Sequence, residues 1–198
     1  KLFVDNNSIQ GDYTYGMCFE DGADVKVSNC YFDKGTTTLV RIGSFSDTAD
    51  VNVTIENCSY GNDVNFVPTV NLITTGGNKK CNLTINNLAG NWTIKQQADV
   101  LNGKLKISNT DVVLLQGTTE QPCYMSNFSS YQFNNVDFLI KSSEARLQGK
   151  GNINSCSFIK DAYVVNSTNL QCSYTTKDLT FSNVKFKNVD VLIFAYAN

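Results

Sequence analysis

The chain of 198 residues contains no histidine, which excludes Ser-His-Asp triads and most proton relays that work near neutral pH. None of its seven cysteines forms a CxxC spacing, and without imidazole to complete a ligand set no zinc site is expected. No apolar run approaches the ~18 residues that a membrane span requires, and no signal peptide is visible. Sixteen Lys and Arg stand against 18 Asp and Glu, for a formal charge of -2, and no basic run occurs. Duplex nucleic acid and an anionic membrane would find too little Lys/Arg density, so neither is expected as a partner. Arginine occurs only as Arg41 and Arg146. Long amphipathic helical stretches are missing, and no cofactor motif is present.

What recurs instead is asparagine in one setting: apolar, any, apolar, any, Asn, a small or apolar residue, any, and usually apolar. The copies are LFVDNNSI from Leu2, VKVSNCYF from Val25, VTIENCSY from Val53, LTINNLAG from Leu83, LKISNTDV from Leu105, YQFNNVDF from Tyr131, GNINSCSF from Gly151 and LTFSNVKF from Leu179. Their marked positions are Asn6, Asn29, Asn57, Asn87, Asn109, Asn135, Ser155 and Asn183, spaced by 23, 28, 30, 22, 26, 20 and 28 residues. A period in this range with a variable remainder reads as a solenoid in which each copy supplies one coil and a loop.

The third place of the motif is filled by Val4, Val27, Ile55, Ile85, Ile107, Phe133, Ile153 and Phe181. Alternation of this kind is the period of a strand, and the β-branched composition agrees with it. Two strand segments are expected to hinge at the Asn. After it, Cys30, Leu88, Val136, Cys156 or Val184 should point inward, followed by Ile9, Phe32, Val112, Phe138, Phe158 or Phe186. Asparagine tolerates the left-handed backbone that a tight corner needs. Its amide is expected to bond the equivalent amide one coil away, as in other stacked amide ladders, with a break at Ser155.

The pattern resembles the right-handed parallel β-helix of the pectate-lyase-like superfamily, to which many bacteriophage tailspikes belong, over essentially the whole chain. The resemblance implies an all-β, single-stranded solenoid of about eight coils with an Asn ladder at one turn and stacks of aliphatic, aromatic and cysteine residues inside. It also implies homotrimers, since tailspikes of this family usually form them. Residues 1–198 read as one domain. A solenoid opened at both ends needs caps, so the chain is expected to be a fragment of a longer protein or to have its ends covered by neighbouring subunits.

Cys30, Cys58 and Cys156 share one inward position and are expected to be reduced thiols acting as small core residues. That favours folding in a reducing cytosol, as for a virion component, over export. A bridge between Cys30 and Cys58, on adjacent coils, is the strongest exception. Seven N-x-S/T sequons start at Asn6, Asn52, Asn57, Asn82, Asn91, Asn127 and Asn166. With 25 asparagines in the chain they are expected by composition, and amides buried in the ladder at Asn6 and Asn57 should refuse a glycan. A secreted or cell-surface adhesin-like solenoid is the rival that disulfides or glycans would reveal.

Coils stack about 4.8 Å apart, so residues at one motif position become neighbours in space. The outward position two after the ladder residue then brings Asp111 beside Asp137, near the ~5 Å separation of a retaining glycosidase pair, on a face shared with Lys106 and Gln132. Such a pair can divide its pKa values between an acid and a nucleophile; two solvated aspartates, bridged by Lys106 or a cation, are the plain alternative. Pectate lyases use a calcium-binding carboxylate cluster and an arginine base, and neither Arg41 nor Arg146 lies in a matching motif. Arg146 beside Glu144 suits a sugar carboxylate or an ordinary exposed pair.

Carbohydrate binding draws on Lys106, Glu144, Arg146 and on aromatics: Trp92, Tyr13, Tyr15, Tyr60, Tyr124 and Tyr131. Tyr60 and Tyr131 fall on inward positions, and Trp92 divides between a loop anchor and an exposed contact. Specificity is expected in the longest insertions: between the second and third ladder residues, between the third and fourth, and around residues 166–176. The expected function is a bacteriophage tail-spike module that recognises host surface polysaccharide, beside other virion subunits, with depolymerase activity as an added capacity. A polysaccharide lyase or glycoside hydrolase is the enzymatic alternative.

Overall fold

Period-two patterning becomes a parallel β-solenoid in the computed structural model, which describes residues 1–9, 15–19, 22–32, 38–44, 50–60, 69–74, 80–96, 103–116, 123–124, 130–148, 150–164, 167–174 and 179–195. Every regular element among these is a strand, and every strand pairing is parallel.

The first half of each motif copy forms one rung of a single ladder sheet. Its rungs run Leu2–Asp5, Asp24–Ser28, Val51–Glu56, Cys81–Asn86, the first half of Lys104–Gln116, the first half of Ser130–Ile140, Lys150–Asn154 and Leu179–Ser182. Registers preserve the motif alignment: Val4 lies against Val27, Val27 against Ile55, Ile55 against Ile85, then Ile107, Phe133, Ile153 and Phe181. Val27, Ile55, Ile85, Ile107, Phe133 and Ile153 are all buried in one continuous core. A buried side chain of this size contributes about 1.5–3 kcal/mol by leaving water, so one motif position repeated down the axis is a main source of stability.

All eight marked positions, Ser155 included, have left-handed backbone with φ between 50° and 56°. Asparagine is favoured there because only it and glycine enter this region at low cost. The corner also explains the residue that follows it. Cys30, Cys58 and Cys156 each direct the thiol to the carbonyl two residues back, at 3.2 Å, and Thr110 does the same with its hydroxyl at 3.1 Å. A small side chain with one weak donor both fills the corner and tethers the turn. The inward placement of Cys30, Cys58 and Cys156 is as expected, and burial pushes the Cys58 thiol up to about 11.

Two expectations about the ladder are corrected. Its side chains are exposed rather than buried, so burial does not bar a glycan at Asn6 or Asn57. Nor do the amides form one uniform chain. Asn87 donates to Asn57 at 2.8 Å and Asn135 to Asn109 at 3.4 Å, but Asn29 donates to Asp5 and Asn109 to Asn86, one residue earlier on the preceding rung. Ser155 keeps the corner backbone while, among the described residues, making no hydrogen bond to Asn135.

Beyond the corner a coil carries more strand than two segments. The second face holds Ser8–Ile9, Tyr31–Phe32 and Ser59–Tyr60, and later the second half of Lys104–Gln116, that of Ser130–Ile140, Ser157–Lys160 and Lys185–Lys187. A third face holds Cys123–Tyr124, Glu144–Gln148, Asn169–Tyr174 and Asp190–Ala195 as a sheet of its own, whereas Tyr15–Phe19, Thr38–Ser44 and Thr69–Thr74 pair in series and join, through Asn91–Gln96, the second face of the later coils. The insertions expected to be loops therefore contain strands of their own: Thr38–Ser44, Thr69–Thr74 and Asn169–Tyr174. On the second face Phe138, Phe158 and Phe186 stack at centroid separations of 5.0 and 5.8 Å with 12° between planes. Such contacts add about 0.5–1.5 kcal/mol each beyond their burial.

In the fourth coil the strand Asn91–Gln96 pairs on one side with Thr69–Thr74 and on the other with the second half of Lys104–Gln116. Trp92 lies opposite Val113, and Val113 opposite Phe138. Counted from their ladder residues these are the fifth, fourth and third positions, so the fourth and fifth coils carry two and one extra residues. Gly90, at φ 84°, supplies the conformation for the longer turn, and the register shifts between Thr110 and Val112. Val113 is consequently the buried residue where the motif pointed to Val112.

Candidate functional site

The outward side of the ladder sheet is built from every second residue of each rung. Rungs one to three present Lys1, Phe3 and Asp5, then Asp24, Lys26 and Ser28, then Asn52, Thr54 and Glu56. Their charges satisfy one another: Lys1 pairs with Asp24 at 3.8 Å and Lys26 with Glu56 at 2.7 Å. Hydrogen bonds from Ser28 and Asn29 hold the Asp5 carboxyl below the usual carboxylate range. Rungs five to seven differ. They present Lys104, Lys106 and Ser108, then Ser130, Gln132 and Asn134, then Lys150, Asn152 and Asn154, with three cations and no acid.

Across this second region runs a groove of about 550 Å³. Lys106, Gln132, Asn134, Asn152, Asn154 and Ser182 are among its lining residues. Asn154 donates to Asn134 at 2.9 Å, and Ser108 to Asn86 at 2.9 Å. Amides held in register by the backbone keep further donors and acceptors free to face a ligand. Lys106 and Gln132 sit side by side as the motif alignment placed them.

Asp111 and Asp137 belong to a different surface, the corner and second face. They line a common dent of about 240 Å³ with Asn109, Thr110, Asn135 and Val136. The extra residue of the fifth coil alters their expected pairing, because Asp137 lies opposite Val112 in the register. Asp111 has a structural partner: its Oδ2 accepts from the Gly90 amide at 3.1 Å, bracing the long turn of the coil before.

Trp92 is a core residue, 1% exposed, with its ring edge-on to Phe32 at 6.1 Å and its indole N–H donating to the Ala89 carbonyl at 3.0 Å. It is the loop anchor, not the exposed contact; the two extra residues before it carry it inward. Tyr131 is buried as expected. Arg146 donates its Nε–H to Glu144 on the third face, and both are half-buried. They lie on a different sheet from the groove. Tyr13 and the side chains of Tyr15, Arg41, Tyr60 and Tyr124 lie outside the described residues.

Sequence reasoning passed over Tyr163. It is 92% exposed on a turn whose buried Asp161 accepts the Tyr163 amide at 2.8 Å and pairs with Lys141 at 3.9 Å. The Asp-Ala-Tyr triplet was the available signal, an Asx-type turn that lifts the third residue out.

Comparison of the chain with protein-family models, with curated proteins and with solved structures returns no match.

Proposed function

We propose that this parallel β-solenoid is a carbohydrate-recognition module, working as part of a larger appendage of the kind phage tail spikes carry, and that it binds host surface polysaccharide along its ladder sheet. The groove across rungs five to eight supports the reading: amides and hydroxyls repeat there at the rung spacing, so an extended polymer of hydroxylated units meets equivalent partners along its length. The appendage and phage setting, with other virion subunits and a homotrimer, rests on the resemblance of the repeat to tailspike solenoids. Recognition ranks above catalysis because one of the two aspartates already serves the Gly90 turn.

A glycan array followed by titration calorimetry tests the proposal. Replacing Gln132 and Asn152 together by alanine should abolish binding while circular dichroism stays unchanged. Asp111→Asn should leave binding intact. If the double variant binds normally and Asp111→Asn loses binding or a depolymerase activity, the working site is the dent and the enzymatic alternative replaces this one.

A further inference from the structure

We infer that the ligand of the ladder-sheet groove is a polyanionic glycopolymer, carrying carboxylate or phosphodiester groups at regular intervals. This rests on the carbohydrate reading above. Lys104, Lys106 and Lys150 are exposed on the outward side of one sheet, drawn from rungs five and seven. Lys104 and Lys150 both face Ser130 in the register, so they stand two rungs apart, about 10 Å at the strand spacing. Lys106 lies two residues along the strand from Lys104, about 7 Å away.

Among the described residues none of the three lysines forms an ion pair, whereas both lysines on the same side of rungs one and two do. Among the described residues, the outward neighbours of the three lysines on rungs five to seven are amides and hydroxyls: Ser108, Ser130, Gln132, Asn134, Asn152 and Asn154. The protein as a whole is acidic, with a formal charge of -2. A local set of unpaired cations on an acidic chain, rimmed by neutral hydrogen-bonding groups, suits a ligand that brings its own spaced negative charge and hydroxyls. Ammonium groups act as point charges and accept carboxylate or phosphate alike.

Three probes of equal length test this on the full chain by calorimetry at low and physiological salt: an alginate hexasaccharide, a glycerol-phosphate hexamer and neutral maltohexaose. Preference for either anionic probe over maltohexaose, weakening with salt, is the expected result, and the preferred anion identifies carboxylate or phosphodiester as the source. Each Lys→Met change should weaken binding about two- to fivefold and the triple variant at least about tenfold, as for exposed charge pairs that add. A matched triple at Lys160, Lys185 and Lys187 on the second face should change little. Maltohexaose bound as tightly as the anionic probes, with no effect of the lysine triple, overturns the inference and leaves the carbohydrate proposal standing. Equal losses from the two triples also overturn it, since attraction would then be general. Binding to none of the three overturns it as well, and a simultaneous blank on a broad glycan array removes the carbohydrate proposal too.

Discussion

Replacing Ser155 by asparagine should stabilise the solenoid. Ser155 adopts φ 52° at the one ladder corner that lacks asparagine. A left-handed conformation costs a non-glycine residue roughly 1–2 kcal/mol, and asparagine escapes much of that through local hydrogen bonding. The new amide would also sit one rung from Asn135, which itself donates to Asn109 at 3.4 Å; one further hydrogen bond is worth about 0.5–1.5 kcal/mol net. With partial relief of each term, a gain of about 1–2 kcal/mol is expected. For a chain of this length that corresponds to a rise in Tm of about 2–8 °C. Urea unfolding should show a higher midpoint at unchanged slope, which assigns the effect to stability. Ser155→Gly separates the contributions, because glycine removes the backbone cost without adding an amide. The reciprocal Asn135→Ser should lose a comparable amount. Neutral results for both Ser155→Asn and Asn135→Ser would refute the idea that the corners select asparagine energetically.

Gly151→Ala should destabilise by about 1–3 kcal/mol, the usual cost of overpacking, because a Cβ there would lie 2.7 Å from the Tyr131 carbonyl oxygen and 2.9 Å from its Cβ; thermal unfolding reads it. Trp92 is the only tryptophan, so its burial predicts blue-shifted emission that acrylamide quenches poorly, and Trp92→Ala should cost about 3–5 kcal/mol. Iodoacetamide should label Cys18, which is exposed, well before Cys30, Cys58, Cys81, Cys156 or Cys172, which are buried; peptide mass mapping counts the adducts. Burial raises Cys58 and Cys172 to about 11 and Cys81 to about 12 from 9.0. Above pH 9 the unfolded chain therefore ionises first and binds fewer protons, so stability should fall from about pH 9 until the folded thiols titrate near pH 11–12. Cys81→Ala should flatten the upper part of that decline.

The ladder sheet was legible in the sequence because one side chain per coil meets a backbone demand that few residues satisfy. Asn at φ near 50° and an apolar residue two places before it are independent signals, and together they align all the rungs. Three things were not legible. The direction of each ladder amide depends on whether the preceding rung offers Asp5 or Asn86 as a better acceptor than the equivalent Asn, a choice among neighbours that no single motif copy records. The strands in the variable remainder of each coil follow no corner motif that recurs from coil to coil, Asn188 at φ 55° marking one of them among the described residues, so that remainder looked like loop. The shift at Thr110 and the long turn at Gly90 change the count after the corner, and a one-residue error exchanges the two faces of a strand. That error pointed to Val112 in place of Val113 and left Trp92 divided between anchor and exposed contact, while Lys106 and Gln132, which precede the corner, were correctly adjacent.

The same geometry accounts for how a chain with no basic run acquires a basic surface. Lys104 and Lys106 are separated by one residue, and Lys150 follows them by more than 40 positions in the chain, yet winding brings all three onto the outward side of neighbouring rungs. Net charge averages over the whole chain and cannot register such a set. Sequence-local clustering fails for the opposite reason, since strand alternation directs adjacent residues to opposite faces. In a solenoid the quantity that matters is charge per column, taken down the axis one motif position at a time. By that measure the first three rungs pair Lys1 and Lys26 with Asp24 and Glu56 and have Asp5 in addition, while the outward columns of rungs five to seven carry lysine and no acid. A charge change at Lys106 should therefore alter ligand binding with little effect on stability. At Lys26, paired with Glu56 at 2.7 Å, charge removal should instead leave binding alone and cost the modest amount of an exposed ion pair, about 0.2–1 kcal/mol.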